Sequence, residues 1–317
     1  MKGEAGTPLM VSVVIPAYNA ADFIERTLES VLAQTYRSYE VIVVDDGSSD
    51  GTHQIVERWL ARTGVEGRCI RQPNKKIAAA RNSGMKASRG EFIALLDHDD
   101  LWTPLKLETV MAEFVSHPDV DLVCHNERIT RDGETVRITR NGPWVEDMYD
   151  SLLFKGNALS PSATVVRKDK ALAIGGFRED PEFNTVEDYD FWMRLSQRAR
   201  FHFLDRVLGE YTLVERAASR RIEYHTSNTE SMLKDHFRSL FGKNPGLLAR
   251  LRIRRRLAVV YRSAARQLMD YRESPDLQRT YVWRMIRTFP FDPKNVARTL
   301  AWIARAVTRT VNESAKK

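Results

Sequence analysis

The chain of 317 residues carries only two cysteines, Cys69 and Cys124. Two cysteines build no disulfide framework, and neither stands in the spacing of a metal-binding pair. No apolar run approaches the roughly 18 residues that a membrane-spanning helix needs. The opening "MKGEAGTPLMVSVVIPAYN" lacks the basic stretch and apolar core of a secretory signal. A reducing cytosolic location is therefore expected. No G-x-G-x-x-G follows the first apolar run, which counts against a dinucleotide-dependent oxidoreductase. Internal repeats and low-complexity tracts are also missing. What remains is 43% hydrophobic and 29% charged, a balance that suits a folded protein rather than a disordered one. The length fits one large domain with an appendage, or two domains.

The overall charge of +7 hides two unlike parts. Residues 241–317 hold eighteen Lys and Arg against five Asp and Glu, a net of +13, which leaves residues 1–240 at −6. Such a break predicts a boundary near 240. The expected division is residues 1–240, in halves of about 9–120 and 121–240, followed by a basic helical region at 241–317.

Along the chain, "VSVVIP" (11–16), "EVIVV" (40–44), "RCIRQ" (68–72) and "EFIALL" (91–96) read as buried strands. Helical patterns lie between them: Ile24, Leu28, Val31 and Leu32; Ile55, Val56, Trp59 and Leu60, with Asp50 as cap; and residues 77–87. Thr103-Pro104 looks like another helix start. Strands alternating with helices imply an α/β fold, a mostly parallel central sheet with helices on both faces. Farther on, residues 121–139 read as two strands joined by an Asp132-Gly133 turn. "SATVVRK" (162–168) reads as a strand and "GGF" (175–177) as a tight turn. Residues 185–199 read as a helix capped by Thr185, with Phe191 and Leu195 on its apolar side and Trp192 packed.

Ligands of parallel sheets bind at the carboxyl ends of the strands. Four polar clusters reach that edge: "PAYN" (16–19), "DDGSSDG" (45–51), "QPNKK" (72–76) and "DHDD" (97–100). In the last, Asp97, Asp99 and Asp100 crowd three like charges into four positions, an arrangement that a divalent cation relieves. One decoy is set aside. "DGSSDGTHQIVE" (46–57) places Asp46, Ser48, Asp50, Gly51 and Glu57 at the positions of a calcium-binding loop, but such a loop follows a helix and this one follows a strand.

Taken together, "VSVVIPAYNAADFIERTLESVLAQTY", "VIVVDDGSSDGT", "AAARNSG", "GEFIALLDHDDLW" and "GGFREDPEFNTVEDYDFWMRL" resemble glycosyltransferase family 2 over roughly residues 9–215. The resemblance implies a GT-A fold, Rossmann-like, and inverting transfer of a sugar from a nucleotide-diphosphate donor, a UDP-sugar first. It implies a glycan or lipid-linked acceptor and Mn²⁺ or Mg²⁺ as cofactor. On the donor side it assigns Pro16, Tyr18 and Asn19 to the base and ribose, with Glu25 in the same pocket. Asp46 accepts a hydrogen bond from the base, and Asn74 and Arg81 contact base and phosphates. Asp97-His98-Asp99 is similar to the family's DXD motif. Asp99 is the expected metal ligand, Asp97 contacts ribose or the metal's water, and His98 intervenes. Glu187-Asp188 resembles the family's "ED" motif, with Asp188 the expected general base, Glu187 orienting, and Asp190 a competitor.

Two departures stand out. Lys76 occupies a position where the family often has glycine, beside Lys75. "YTLV" (211–214) stands where members often have "YR.H", so Thr212 and Val214 replace the arginine and the histidine; His225 is a substitute only if an insertion brings it round. The basic tail offers amphipathic helices, with Val296, Leu300, Ile303 and Val307 opposite Arg298, Arg305 and Arg309. These fit peripheral contact with an anionic membrane at its inner face, or packing on the protein or a second subunit in a homo-oligomer. Nucleic acid finds no support elsewhere in the chain. The rival from another class is a nucleotide-sugar-binding protein without catalysis, which the intact acids at 97, 99, 187 and 188 argue against.

Overall fold

The computed structural model describes residues 9–131, 133–213, 222–270, 274–297 and 299. The chain forms two compact units, residues 1–217 and 218–317.

The first unit begins with alternating strands and helices: β1 (Val11–Ala17), α1 (Ile24–Leu32), β2 (Tyr39–Asp45), α2 (Thr52–Thr63), β3 (Gly67–Arg71), α3 (Lys76–Ala87) and β4 (Phe92–Leu95). Then come β5 (Leu101–Trp102), α4 (Lys106–Ser116), β6 (Leu122–Arg131), β7 (Glu134–Thr139), α5 (Met148–Lys155), β8 (Thr164–Arg167), α6 (Lys168–Ala173), a short 3-10 turn (Pro181–Phe183), α7 (Glu187–Ser196) and β9 (Phe201–Thr212). The sheet order is β3-β2-β1-β4-β8-β6-β9-β5, with β7 on β6. β3, β2, β1 and β4 are parallel, as the alternating strands and helices require. Beyond β4 the sheet turns mixed: β8 is antiparallel to β4 and β6, and β9 runs parallel to β6.

Side chains of the parallel strands alternate between two covers. Val11, Val13, Ile15, Val41 and Val43 join the main core with Leu28, Val31, Leu107 and Phe114 of α1 and α4. Ile42 and Val44 point the other way and meet Ala80 of α3. That helix lies unusually close to the sheet, because a Cβ on Gly84 would fall 2.4 Å from Val14 Cγ1. Alanine at 84 would therefore overpack the contact.

Two local expectations change. Helix α4 starts at Lys106, not at Thr103-Pro104, because Thr103 N and Oγ1 are drawn to Leu208 O on β9 at 3.0 and 3.2 Å. Thr185 does not cap α7: its φ of +73° is left-handed, and Val186 stands at the cap. A cap residue normally has extended backbone. Asp50 supplies the expected capping oxygen to Thr52 N at 3.0 Å, although Gly51 occupies the cap position of α2. Asp132 lies outside the described residues.

The second unit holds α8 (Ile222–Phe241), α9 (Leu247–Asp270) and α10 (Pro275–Thr288). α9 packs on both of the others, around Tyr261, Leu268, Tyr281 and Met285. The change of charge near 240 falls in the last turn of α8. Of the expected terminal apolar stripe, Leu300, Ile303 and Val307 lie outside the described residues, as do Arg298, Arg305 and Arg309. No described helix is long and apolar enough to cross a membrane.

Candidate functional site

Parallel pairing brings the ends of β1, β2 and β4 to one edge, with Ala17 opposite Asp45 and Val14 opposite Leu95. The loops leaving that edge are sewn to one another. Asn19, at φ +48°, donates its N–H to Ser48 Oγ (2.9 Å), and its Oδ1 accepts from Ser49 N (3.0 Å). His98 Nδ1 lies 3.2 Å from Pro16 O. Asp46 is buried; its Oδ1 accepts from Gln72 Nε2 (2.7 Å) and Lys75 N (2.9 Å), and its Oδ2 from Lys76 N (2.8 Å). It therefore caps the start of α3. A carboxylate has about four acceptor positions, so one remains for a ligand.

Lys76 sits at φ +72°, a backbone conformation that favours glycine. This accounts physically for the glycine of the family pattern at that position. Asn74, Lys75 and Lys76 are exposed at this rim, and so is the Tyr18 ring. Pro16 is buried within β1 and offers its backbone rather than its ring.

Arg81 is the centre of the site. It stands on α3 with 2% of its side chain exposed, donating from Nη2 to Asp97 Oδ1 and from Nη1 to Glu187 Oε1, both at 2.8 Å. The Phe177 ring lies 5.3 Å from the guanidinium carbon. Burial works against its charge, yet Asp97, Glu187 and Asp188 together push its pKa above the ordinary arginine value. The sequence expectation had this fork on the phosphates; the structure commits it to two carboxylates 90 residues apart. Removing one member of such a buried ionic set costs about 3–5 kcal/mol. Both motifs thus hang on one side chain.

Around it the acids divide by task. Asp97 keeps Oδ1 on Arg81, and its N–H donates to Ser162 Oγ (3.0 Å). Burial raises Asp99 above the usual carboxylate range; His98 offsets this and Asp97 adds to it. Asp100 is fully buried, its Oδ2 accepting from Ser162 Oγ (2.6 Å) and its Oδ1 from Thr212 N (3.0 Å). Burial, then Asp99 and Asp97, raise it strongly. Asp100 is therefore an anchor that ties β9 to the acidic loop. The donor set left for a cation is Asp99 with the second oxygen of Asp97. These are hard oxygen ligands, crowded and desolvated, and they fit Mg²⁺ or Mn²⁺.

On the opposite wall, Glu187 is buried, and burial pushes its carboxyl up to about 7 against the pull of Arg81. Asp188 is half-buried, 3.3 Å from Asn157 Nδ2. Asp190 is wholly buried and held by Arg194 at 2.7 Å, and Arg194 in turn holds Ile174 O and Gly176 O. That makes Asp190 a brace for the glycine turn and no competitor for the acceptor. Trp192 is fully buried, as expected.

Glu25 does not join this constellation. It is 63% exposed on α1 and lies 3.6 Å from Arg62 of α2. It lines a groove of about 660 Å³ with Trp102 and Pro104, one that neither Asp97 nor Asp99 lines. Val214 lies outside the described residues, and His225 stands on α8 in the second unit.

Several supporting residues had no signal in the sequence. Ser162 joins Asp97 to Asp100, and Asn82 clamps Phe177 through its N–H and carbonyl, both at 2.8 Å. Glu127 on β6 is buried, which raises its carboxyl to about 7, with Asp97 adding to the rise. "AAARNSG" did flag the segment that carries Asn82, but its partner is 95 residues away.

Residues 12–174 match the profile of Glycosyl transferase family 2. The chain belongs to that family. Its fold is α/β, of the GT-A type. Among relatives, chondroitin synthase of Escherichia coli is 31% identical over 205 residues, 66% of this chain and 28% of that protein. The chain spans about half or less of the length of the first curated relatives it matches. Among solved structures, S. aureus TarS 1–349 in complex with UDP superposes with a TM-score of 0.63 at 21% identity, over 89% of this chain and 81% of that one. The mannosyltransferase PcManGT from Pyrobaculum calidifontis, in complex with GDP-Man and Mn²⁺, gives 0.59 at 19% identity, over 94% and 81%.

Proposed function

We propose that this glycosyltransferase moves a sugar with inversion from a UDP-sugar to a hydroxyl of a glycan or lipid-linked acceptor, with Mn²⁺ or Mg²⁺ at Asp99. The observation that carries the reading is Arg81, which joins the donor-side Asp97 to the acceptor-side Glu187 at 2.8 Å each. A bridge of this kind sets donor and acceptor carboxylates in one frame, the positioning that two-substrate transfer needs.

The chain's own groups take these roles. Tyr18 and the rim at Asn19, Asp46 and Asn74 receive the nucleoside, and the exposed Lys75 and Lys76 face the diphosphate. Asp99, with Asp97, holds the cation, which when bound offsets charge on the departing diphosphate. Asp188 takes the proton from the acceptor hydroxyl as its oxygen attacks the anomeric carbon. Glu187 and Arg81 fix the wall on which Asp188 stands. UDP and GDP-Man in the solved neighbours support a nucleotide donor, and the uridine nucleotide is preferred here on the family resemblance. Offering UDP-, GDP- and dTDP-sugars with Mn²⁺ and measuring nucleotide release tests the reading. A UDP-sugar should turn over fastest, and silence with every donor would leave the non-catalytic binding protein as the better account.

The second unit supports a place at an anionic membrane surface. The first turns of α9 expose Leu247 (75%), Leu248 (77%) and Leu251 (41%) beside the exposed Arg250, Arg252, Arg254 and Arg255. Exposed leucines flanked by arginines suit insertion among anionic headgroups. The chain should float with anionic liposomes in low salt and not in high salt. Replacing those four arginines by glutamine should abolish flotation; unchanged flotation removes the proposal.

A further inference from the structure

We propose that Glu113, His117 and His202 form a second metal site, selective for zinc-like ions. Glu113 and His117 lie one helical turn apart at the end of α4, so their side chains share a face. His202 is the second residue of β9. Glu113 Oε2 is 3.2 Å from His117 Nδ1 and 3.4 Å from His202 Nε2. The two imidazoles stack with centroids 5.0 Å apart, and all three ligand atoms fall within 4.8 Å of one another.

The distances suit tetrahedral coordination. Metal–ligand bonds of about 2.0–2.1 Å set the edge of a tetrahedron at about 3.4 Å. The two measured separations match that edge, so a cation can enter between the groups with little movement. Two imidazoles and one carboxylate also form a borderline-soft set, which favours Zn²⁺, Co²⁺ or Ni²⁺ over Mg²⁺ and Mn²⁺. The acids at 97 and 99 have the opposite preference, so the two sites sort different ions. With His117 47% and His202 32% exposed, a fourth position stays open to water.

The backbone here is already fixed. His117 N donates to Glu113 O (2.8 Å), and Asp121 N donates to Arg200 O (2.9 Å). Asp121 Oδ2 accepts from Arg200 N (2.9 Å), and Asp119 pairs with the Arg200 side chain. Such bracing limits the entropy lost when the ion binds. The ion would pin the end of α4 to the start of β9, the strand whose far end holds Asp100 through Thr212 N. Among the described residues, the other grouping of this kind, His53, Glu57 and Cys69, needs a thiolate, and burial, with Asp45 and Glu57, pushes that thiol up to about 12.

The test uses the full chain without a histidine tag, stripped with chelator and titrated with Zn²⁺ by calorimetry and with Co²⁺ by visible absorption. One ion per chain should bind at this site, raise Tm, and resist displacement by excess Mn²⁺. Loss of a second-sphere partner weakens metal binding about 10- to 100-fold, so loss of a direct ligand in His117→Gln or His202→Gln should weaken it at least as much. Circular dichroism of each variant without metal should match the wild type, and Glu113→Gln gives a third reading at the same site. Zinc binding that is equal in all three variants, or weaker than about 100 µM in the wild type, as an adventitious ion would show on the scale of affinities used for structural sites, overturns the proposal.

Discussion

Asp188→Asn should leave the fold and donor affinity intact while lowering transfer to a true acceptor by about two orders of magnitude or more, the scale of lost general-base catalysis. Asparagine keeps the size and hydrogen-bonding shape of the side chain but cannot accept the proton near neutral pH. The neighbouring acids cannot take over. Glu187 is turned inward to Arg81 at 2.8 Å, and Asp190 is fully buried against Arg194 at 2.7 Å. Asp188 is half-buried beside Asn157, at the opening of α7. Donor binding should survive because the groups proposed for the nucleotide stand at the segments after β1, β2, β3 and β4, separate from α7. Glu187→Gln should be milder, since an amide oxygen still accepts from Arg81. Kinetics with a sugar acceptor are required, because hydrolysis of the donor by water need not use the same base. Wild-type rates in Asp188→Asn would remove that residue from the mechanism.

Much of this site was legible before any coordinates. The parallel strands could be read because β-branched runs ended in Pro16, in Asp45-Asp46 and in Asp97, and pairing then brought those ends to one edge. The acidic cluster could be read because three like charges in four positions need a reason. The tasks within it could not. Asp99 and Asp100 are adjacent and chemically identical, yet Asp100 is spent on Ser162 and on Thr212 N, 112 residues away. Arg81 looked like a phosphate ligand, since an arginine fork suits a diphosphate; only its hydrogen bonds to Asp97 and to Glu187, 106 residues away, show that the fork is occupied. Asp46 and Asn19 are similar cases, polar residues at a binding edge that also hold the loops in shape.

β9 was missed altogether. "FHFLDRVLGEYT" loses its alternation at Asp205-Arg206, and there the pairing with β6 slips by a bulge, between His125 and Asn126 and again before Glu127. A period-two pattern does not survive such an insertion. The mixed half of the sheet followed from the same blindness, because a strand that pairs across 80 residues carries no local sign of its partner.

Calorimetric titration of UDP with and without Mn²⁺ tests whether Asp99 presents a metal to the donor diphosphate. Asp97 already has one oxygen on Arg81, and Asp100 has both of its oxygens occupied, so Asp99 is the acid left to bind a cation directly. In the wild type, Mn²⁺ should tighten UDP binding by at least about tenfold, or ~1.4 kcal/mol. In Asp99→Ala that gain should vanish, leaving the weaker metal-free affinity and no sugar transfer. Equal UDP affinity with and without Mn²⁺ in the wild type, together with full transfer in excess chelator, would rule out a donor metal at Asp99.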